Sequence, residues 1–155
     1  MKEREMAVRQ RNLSTGAQQR VATLDGRASS ADLPQLLWVG ARTSYQVHEA
    51  TIIVVNCNAG TTTTGTEAIA IRMIDNDLAT AGTVIASISV PGGTTLKTEY
   101  TTRDGSLTWA AGYQNVADRV FAKGTGILVL GDAGSADLDT FGCSVAVSEY
   151  GAPPQ

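Results

Sequence analysis

Alternation of apolar and polar positions divides the chain near Gln35, and from there onward it predicts a succession of short strands. Leu36-Leu37-Trp38-Val39 is an apolar run stopped by Gly40. In residues 44–57 (SYQVHEATIIVVNC), Tyr45, Val47, Thr51, Ile53, Val55 and Cys57 share one parity, and Gln46, His48 and Ala50 share the other. That period of two is the mark of a strand with unlike faces. Residues 58–66 (NAGTTTTGT) predict a loop, 67–74 (EAIAIRMI) a strand, Asp75-Asn76-Asp77 a turn, and 83–90 (TVIASISV) another strand ended by Pro91-Gly92-Gly93. Residues 94–102 alternate again, Asp104-Gly105 is a hairpin signal, and 106–110 predict the strand that follows it. Residues 115–123 (NVADRVFAK) fit a strand or a helical turn equally. The run 126–130 (GILVL) reads as a buried strand, and 142–150 (GCSVAVSEY) closes the series.

Roughly seven to nine strands about ten residues apart, rich in β-branched residues and with no amphipathic helices between them, predict an all-β fold. The expected architecture is an antiparallel β-sandwich or jelly-roll-like domain over 35–155, preceded by an extended N-terminal arm over 1–34. In that arm Met6, Val8, Leu13, Val21 and Leu24 are scattered among Gln, Arg and Ser, with no apolar run. It has too little to bury to offset an ordering cost of roughly 1–2 kcal/mol per residue. A short helix is expected within it over 16–25. Thr15 and Gln18 fit a capping box, Ala17, Val21 and Leu24 recur at helical spacing, and Gly26 would stop it.

Charge sharpens the division. Residues 1–35 carry six basic groups against four acidic, and residues 36–155 carry six against eleven, so a net of +2 and a net of −5 together make the overall −3. Arg4, Arg9, Arg11, Arg20 and Arg27 are the candidate partner-binding residues of the arm. Diluted by acids and lacking aromatic neighbours, they form a weak footprint for nucleic acid, and an acidic protein surface is the better expected partner. No apolar run approaches the ~18 residues of a membrane span, and the charged opening MKEREMAVRQRN does not read as a secretory leader, so no membrane association is expected.

Candidate chemistry is sparse in 155 residues with one His, two Cys and 5% aromatic residues. Cys57 and Cys143 lie in apolar runs and read as small buried hydrophobes. Any imidazole mechanism must pass through His48, which reads as a strand residue on a polar or interface face; no nucleophile elbow occurs. Asp75-Asn76-Asp77 and Asp132, Asp137 and Asp139 supply loop oxygens of the kind calcium takes, without the twelve-residue calcium pattern. Glu49, Glu67, Glu99 and Glu149 are candidates for a carboxylate pair. Trp38, Trp109 and Tyr113 are the rings expected to be exposed, as a carbohydrate- or receptor-binding module would require. The expectation drawn from these features is a non-enzymatic protein with no cofactor.

The order IAIRMIDNDLATAGTVIASISVPGGTTLKTEY, then SLTWAAGYQNV, then FAKGTGILVLG and CSVAVSEYG resembles virion proteins of tailed bacteriophages, especially capsid decoration or cement proteins. The likeness spans about residues 50–150 and lies in a texture of strands and turns. It implies a jelly-roll-like body that forms homotrimers and clamps neighbouring subunits of the major capsid protein or another virion protein. It also implies an arm reaching over the shell and a location in the virion, assembled in the host cytoplasm. Tail-associated phage proteins share this texture, so the alternative it implies is a tail or tail-fibre associated receptor- or carbohydrate-binding module.

Overall fold

The computed structural model describes residues 18–25, 35–41, 43–57, 60–75, 82–131 and 140–149, the first of these segments as backbone. It contains ten strands: β1 (Gln18–Asp25), β2 (Gln35–Val39), β3 (Tyr45–Asn56), β4 (Glu67–Ile74), β5 (Thr83–Val90), β6 (Glu99–Thr101), β7 (Thr108–Trp109), β8 (Val120–Phe121), β9 (Gly126–Gly131) and β10 (Thr140–Glu149). A single 3₁₀ turn, Val116–Arg119, precedes β8 among the described residues. Sheet A has the order β1-β10-β3-β6, with β8 also pairing β3, and sheet B has the order β2-β9-β4-β5-β7. Every pairing is antiparallel.

The registers move inward together from both sides of the chain. Gln18 faces Val147, Gln35 faces Val129, Tyr45 faces Phe121 and Glu67 faces Val90. The chain is therefore one long hairpin, rolled so that successive rungs fall alternately in the two sheets. Lateral pairing of β10 with β3 and of β9 with β4 closes the roll. This is the jelly-roll sandwich expected from the strand spacing.

The two inner faces supply the core. Tyr45, Val47, Ala50, Ile52 and Val54 of β3, with Phe141, Cys143, Val145 and Val147 of β10, pack in one cluster with Ile69, Ile71, Ile85, Val90, Ile127 and Val129 of sheet B. Each fully buried aliphatic side chain contributes roughly 1.5–3 kcal/mol relative to exposure. Aromatic contacts extend the cluster, with Trp38 on Tyr45 at 6.1 Å, Tyr45 on Phe121 at 5.7 Å and Phe121 on Tyr113 at 5.9 Å between ring centroids.

The structure revises the sequence reading in four places. Residues 18–25 are a strand and not part of a helix over 16–25; β1 pairs along its whole length with β10. Val21 and Thr23 are β-branched, and the edge of β10 offers backbone partners that an isolated two-turn helix lacks. The single parity of 44–57 breaks at a β-bulge. Val47 pairs with Val147 and Glu49 with Ala146, which leaves His48 as the extra residue. Beyond it Ala50, Ile52 and Val54 point inward, instead of Thr51, Ile53 and Val55. Residues 94–98 form turns and one isolated bridge, with Lys97 at φ 66°, so the expected strand shrinks to β6. Finally, the Asp104-Gly105 turn forms but joins no hairpin: β6 pairs with β3 in sheet A and β7 with β5 in sheet B.

Candidate functional site

The chemistry-bearing residues singled out in the sequence are dispersed over the body, and the sheets decide which of them meet. On the outer face of sheet A, Glu49, Thr51 and Ile53 of β3, Glu99 and Thr101 of β6, Arg103, and Gly142 and Ser144 of β10 line a shallow trough of about 300 Å³. The Thr101 hydroxyl donates to Glu49 Oε1 at 3.2 Å, and Arg103 Nη2 lies 3.8 Å from the same oxygen. Of the four candidate glutamates, Glu49 and Glu99 thus share a trough, while Glu67 is buried on β4 and Glu149 ends β10. The trough owes its depth to β10. A Cβ at Gly142 would lie 2.9 Å from Ile53 Cγ2 and 3.2 Å from Val55 Cγ2.

His48, displaced by the bulge, stands exposed on β3 and shares a 2.5 Å hydrogen bond between Nε2 and Ser148 Oγ. Gln46 on the same strand donates through Nε2 to the Val116 carbonyl at 2.8 Å. The imidazole thus bridges β3 to β10 at the place where their ladder is interrupted.

The rings expected to be exposed do not form a platform. Trp38 is 4% exposed and packs edge-on against Tyr45. Trp109 lies under the Arg119 guanidinium, whose Cζ stands 4.0 Å from the ring centroid, and Tyr113 packs against the core. Arg119 is a structural residue that the sequence pattern hid, because it falls in the segment that fitted strand and helical turn equally. It is 5% exposed. Its Nε donates to the Val47 carbonyl at 2.9 Å and its Nη1 to the Tyr113 and Gln114 carbonyls at 2.8 and 3.0 Å, which fastens the segment between β7 and β8 to β3. Burial lowers its pKa, and the neighbouring Asp118 carboxylate opposes that shift.

Glycine- and threonine-rich segments serve as fastenings. The Tyr45 hydroxyl and Thr125 Oγ1 lie 3.0 Å apart, and the Thr125 hydroxyl donates to the Ala122 carbonyl at 2.7 Å. Gly40 leaves room for the Tyr45 ring, which a Cβ there would meet at 2.4 Å. Burial pushes the Tyr45 phenol up to about 12, against the opposing hydrogen bond from Thr125. In the threonine tract, the Thr63 hydroxyl donates to the Pro91 carbonyl at 2.8 Å and accepts from the Thr94 amide at 2.9 Å, tying the 60–66 loop to the Pro-Gly-Gly turn. Cys57 and Cys143 are buried thiols, as their apolar contexts predict, and burial pushes the Cys143 thiol up to about 12. Among the described residues no three His, Cys, Asp or Glu side chains gather into a metal-sized group. Of the loop aspartates, Asp75 is described, whereas Asp77, Asp132, Asp137 and Asp139 lie outside the described residues. Arg4, Arg9, Arg11 and Arg27 also lie outside them, and Arg20 is placed by its backbone in β1, opposite Val145.

The outer face of sheet B contrasts with this polar surface. Ala68, Ala70 and Arg72 of β4, Ser87 and Ser89 of β5, and Leu130 of β9 line a hollow of about 580 Å³. Leu36 on the neighbouring edge strand is 51% exposed. Among the described residues no helix is long and apolar enough to cross a membrane.

No protein-family model and no curated protein matches the sequence. Solved structures similar to the chain include one from maize chlorotic mottle virus, at 12% identity and a TM-score of 0.37, covering 90% of this chain and 95% of that one. Another comprises the CBM22-1–GH10 modules of xylanase 10B from Clostridium thermocellum, at 14% identity and a TM-score of 0.36, covering 90% of this chain and 25% of that one. A third is from the Gx strain of infectious bursal disease virus, at 13% identity and a TM-score of 0.33, covering 90% and 34%. The fold assignment rests on the strand registers and not on these likenesses.

Proposed function

We propose that the protein is a non-enzymatic structural component of a virus particle, acting as a decoration or cement protein on the capsid lattice of a tailed phage. In this reading the body forms homotrimers on the shell, and the basic N-terminal segment docks on neighbouring subunits of the major capsid protein or another virion protein. The observation that carries the reading is the placement of β1. It is the edge strand of sheet A, held by eight paired residues from Gln18 to Asp25, so a basic stretch of sequence leads directly into the rim of the body. A segment fastened at one end and rich in arginine suits capture of an acidic lattice surface, and a protein that binds the assembled lattice but not its free subunits stabilises the lattice by linkage. The strand-and-turn resemblance over residues 50–150 supports the same reading.

Co-sedimentation with phage capsids lacking this protein tests it. The truncation must remove residues 1–17 and keep β1, since a deletion through 34 would also strip an edge strand from sheet A. The full-length chain should pellet with capsids, and the truncated chain should remain folded and pellet several-fold less. Failure of the full-length chain to bind capsids would overturn the proposal, and equal binding of the two would remove the role of the arm.

A further inference from the structure

The outward positions of β10 are Gly142, Ser144, Ala146 and Ser148, none larger than serine, alternating with the buried Phe141, Cys143, Val145 and Val147. Beside them β3 carries larger groups: Ile53 pairs with Gly142, Thr51 with Ser144 and Glu49 with Ala146. Two of these rows continue into β6, with Glu99 opposite Ile53 and Thr101 opposite Thr51. Partners in register project from the same face of a sheet. The trough on sheet A is therefore a groove floored by β10 and walled on one side by β3, with a carboxylate toward each end. Glu49 Oε1 is approached by the Thr101 hydroxyl at 3.2 Å and by Arg103 Nη2 at 3.8 Å. The exposed Glu99 carboxylate has neither an ion pair nor a hydrogen-bond partner among the described residues.

We infer that in the free protein this groove is the docking site of the chain's own residues 6–17, with Arg11 set against Glu49 and Arg9 against Glu99. Tether, length and charge name this occupant. Gln18 opens β1 opposite Val147, so the chain before it joins sheet A at the Ser148 end of the groove, one strand spacing from the floor. Glu99 lies three strand spacings across and five residues along from Gln18, roughly 14 by 17 Å, or about 22 Å in all. The nine residues from Arg9 to Ala17 span up to about 30 Å, and Gly16 permits the reversal that lays them over β10. From Met6 to Ala17 the segment carries two arginines and no acid. Their order fits the groove: Arg11 is nearer the tether, as Glu49 is nearer the Val147 end, and Arg9 and Glu99 are both farther out. A guanidinium can take a carboxylate through two hydrogen bonds, a capacity that Glu99 leaves unused. An exposed ion pair is weak alone, but the tether makes the encounter intramolecular, at an effective concentration on the order of millimolar. Docked in this way, the arm withholds its arginines from other acidic surfaces until one of them displaces it. The inference stands apart from the virion reading, because it concerns the free chain.

Amide resonances of the full-length protein test it without capsids. Arg9→Glu combined with Arg11→Glu alters no residue of the body. It should nonetheless shift the amide signals of Thr51, Thr101, Gly142 and Ser144, and leave those of Ala70 and Ser87 on sheet B unmoved. Glu99→Lys, at an exposed position, should shift the amides of residues 8–12. The three substitutions together reverse both partners and should bring Gly142 and Ser144 back toward their wild-type positions. The wild-type signals should not move on dilution, because the docking is within one chain. Unshifted trough amides in the arm variant would overturn the inference, as would failure of the triple variant to restore them. Wild-type trough signals that drift on dilution toward those of the arm variant would also overturn it, and would assign the groove to the arm of a second copy.

Discussion

The outer faces of sheets A and B arise from the same alternation over the same core, and they differ in what the alternate positions carry. On sheet A those positions are Glu49, Thr51, Thr101 and Ser144, with the Thr101 hydroxyl donating to Glu49 and Arg103 beside them. On sheet B they are Ala68, Ala70, Arg72, Ser87 and Ser89 beside Leu36 and Leu130. A face rich in charged and hydroxyl groups keeps its water, whereas a face of small and aliphatic side chains holds water less strongly. The difference is one of composition: one sheet turns several charged and hydroxyl groups outward, and the other turns small and aliphatic side chains outward around Arg72.

The sharpest way to break that contrast is to truncate a leucine that points away from the core of sheet B. Leu128 pairs with outward-facing Arg72 and with Leu36, yet it is only 3% exposed. Leu128→Ala should lower unfolding stability in urea by about 2–4 kcal/mol, the range for a buried leucine. A loss below about 0.5 kcal/mol would show that the outward leucines do not pack as a unit, and the contrast would lose its apolar half.

Alkaline titration gives an intermediate effect that sorts the two sheets by their inner faces. Tyr45 and Cys143 both belong to sheet A, and burial raises both to about 12 from ordinary values of 10.0 and 9.0. Each group stays protonated in the folded chain above the pH at which it ionises when unfolded. Its contribution is therefore complete below the unfolded value and is lost as pH rises through the folded one. Stability should fall between about pH 9 and pH 12, with the tyrosine responsible for roughly 2 kcal/mol. Tyr45→Phe should flatten the part above about pH 10 in denaturant titrations, and an unchanged slope would mean that the phenol is not the responding group.

The smallest effect is expected on the polar outer face. Arg103 is 75% exposed and its contact with Glu49 spans 3.8 Å, so Glu49→Gln should cost less than about 1 kcal/mol, and salt should change wild-type stability little. A loss larger than that of Leu128→Ala would invert the comparison.

Class, body and most strands were legible because the core demands alternation. Residues 67–74, 83–90 and 126–130 emerge as β4, β5 and β9 with little change of boundary. What escaped depends on partners remote in sequence. The bulge at His48 is imposed by β10, about a hundred positions away, and it reversed the faces assigned beyond Val47. Residues 18–25 carry no strong strand pattern, and their conformation follows from the edge that β10 offers. Trp38 looked like a surface ring because a short apolar run does not reveal which of its members turn inward. Arg119 was overlooked because a buried guanidinium held by three carbonyls has no local signature. The two outer faces lay closer to hand: the Ala and Ser positions of β4 and β5 were visible, but their adjacency to Leu130 required the order of strands.

Pairing of β1 with β10 has a further consequence, for the newborn chain. Gln18 meets Val147, so sheet A cannot be completed while β10 is still inside the ribosome. β4 and β5, close in sequence, can pair early, whereas β1 and the edge of β3 that β10 covers must wait unpaired. Such long-range closure is slow and leaves strand edges open to other nascent chains. On a polysome crowded with copies of the same message, the interval between synthesis of β3 and release of β10 is the period of greatest exposure to mispairing. Growth temperature and translation rate should therefore govern the soluble yield of this protein more than its final stability does.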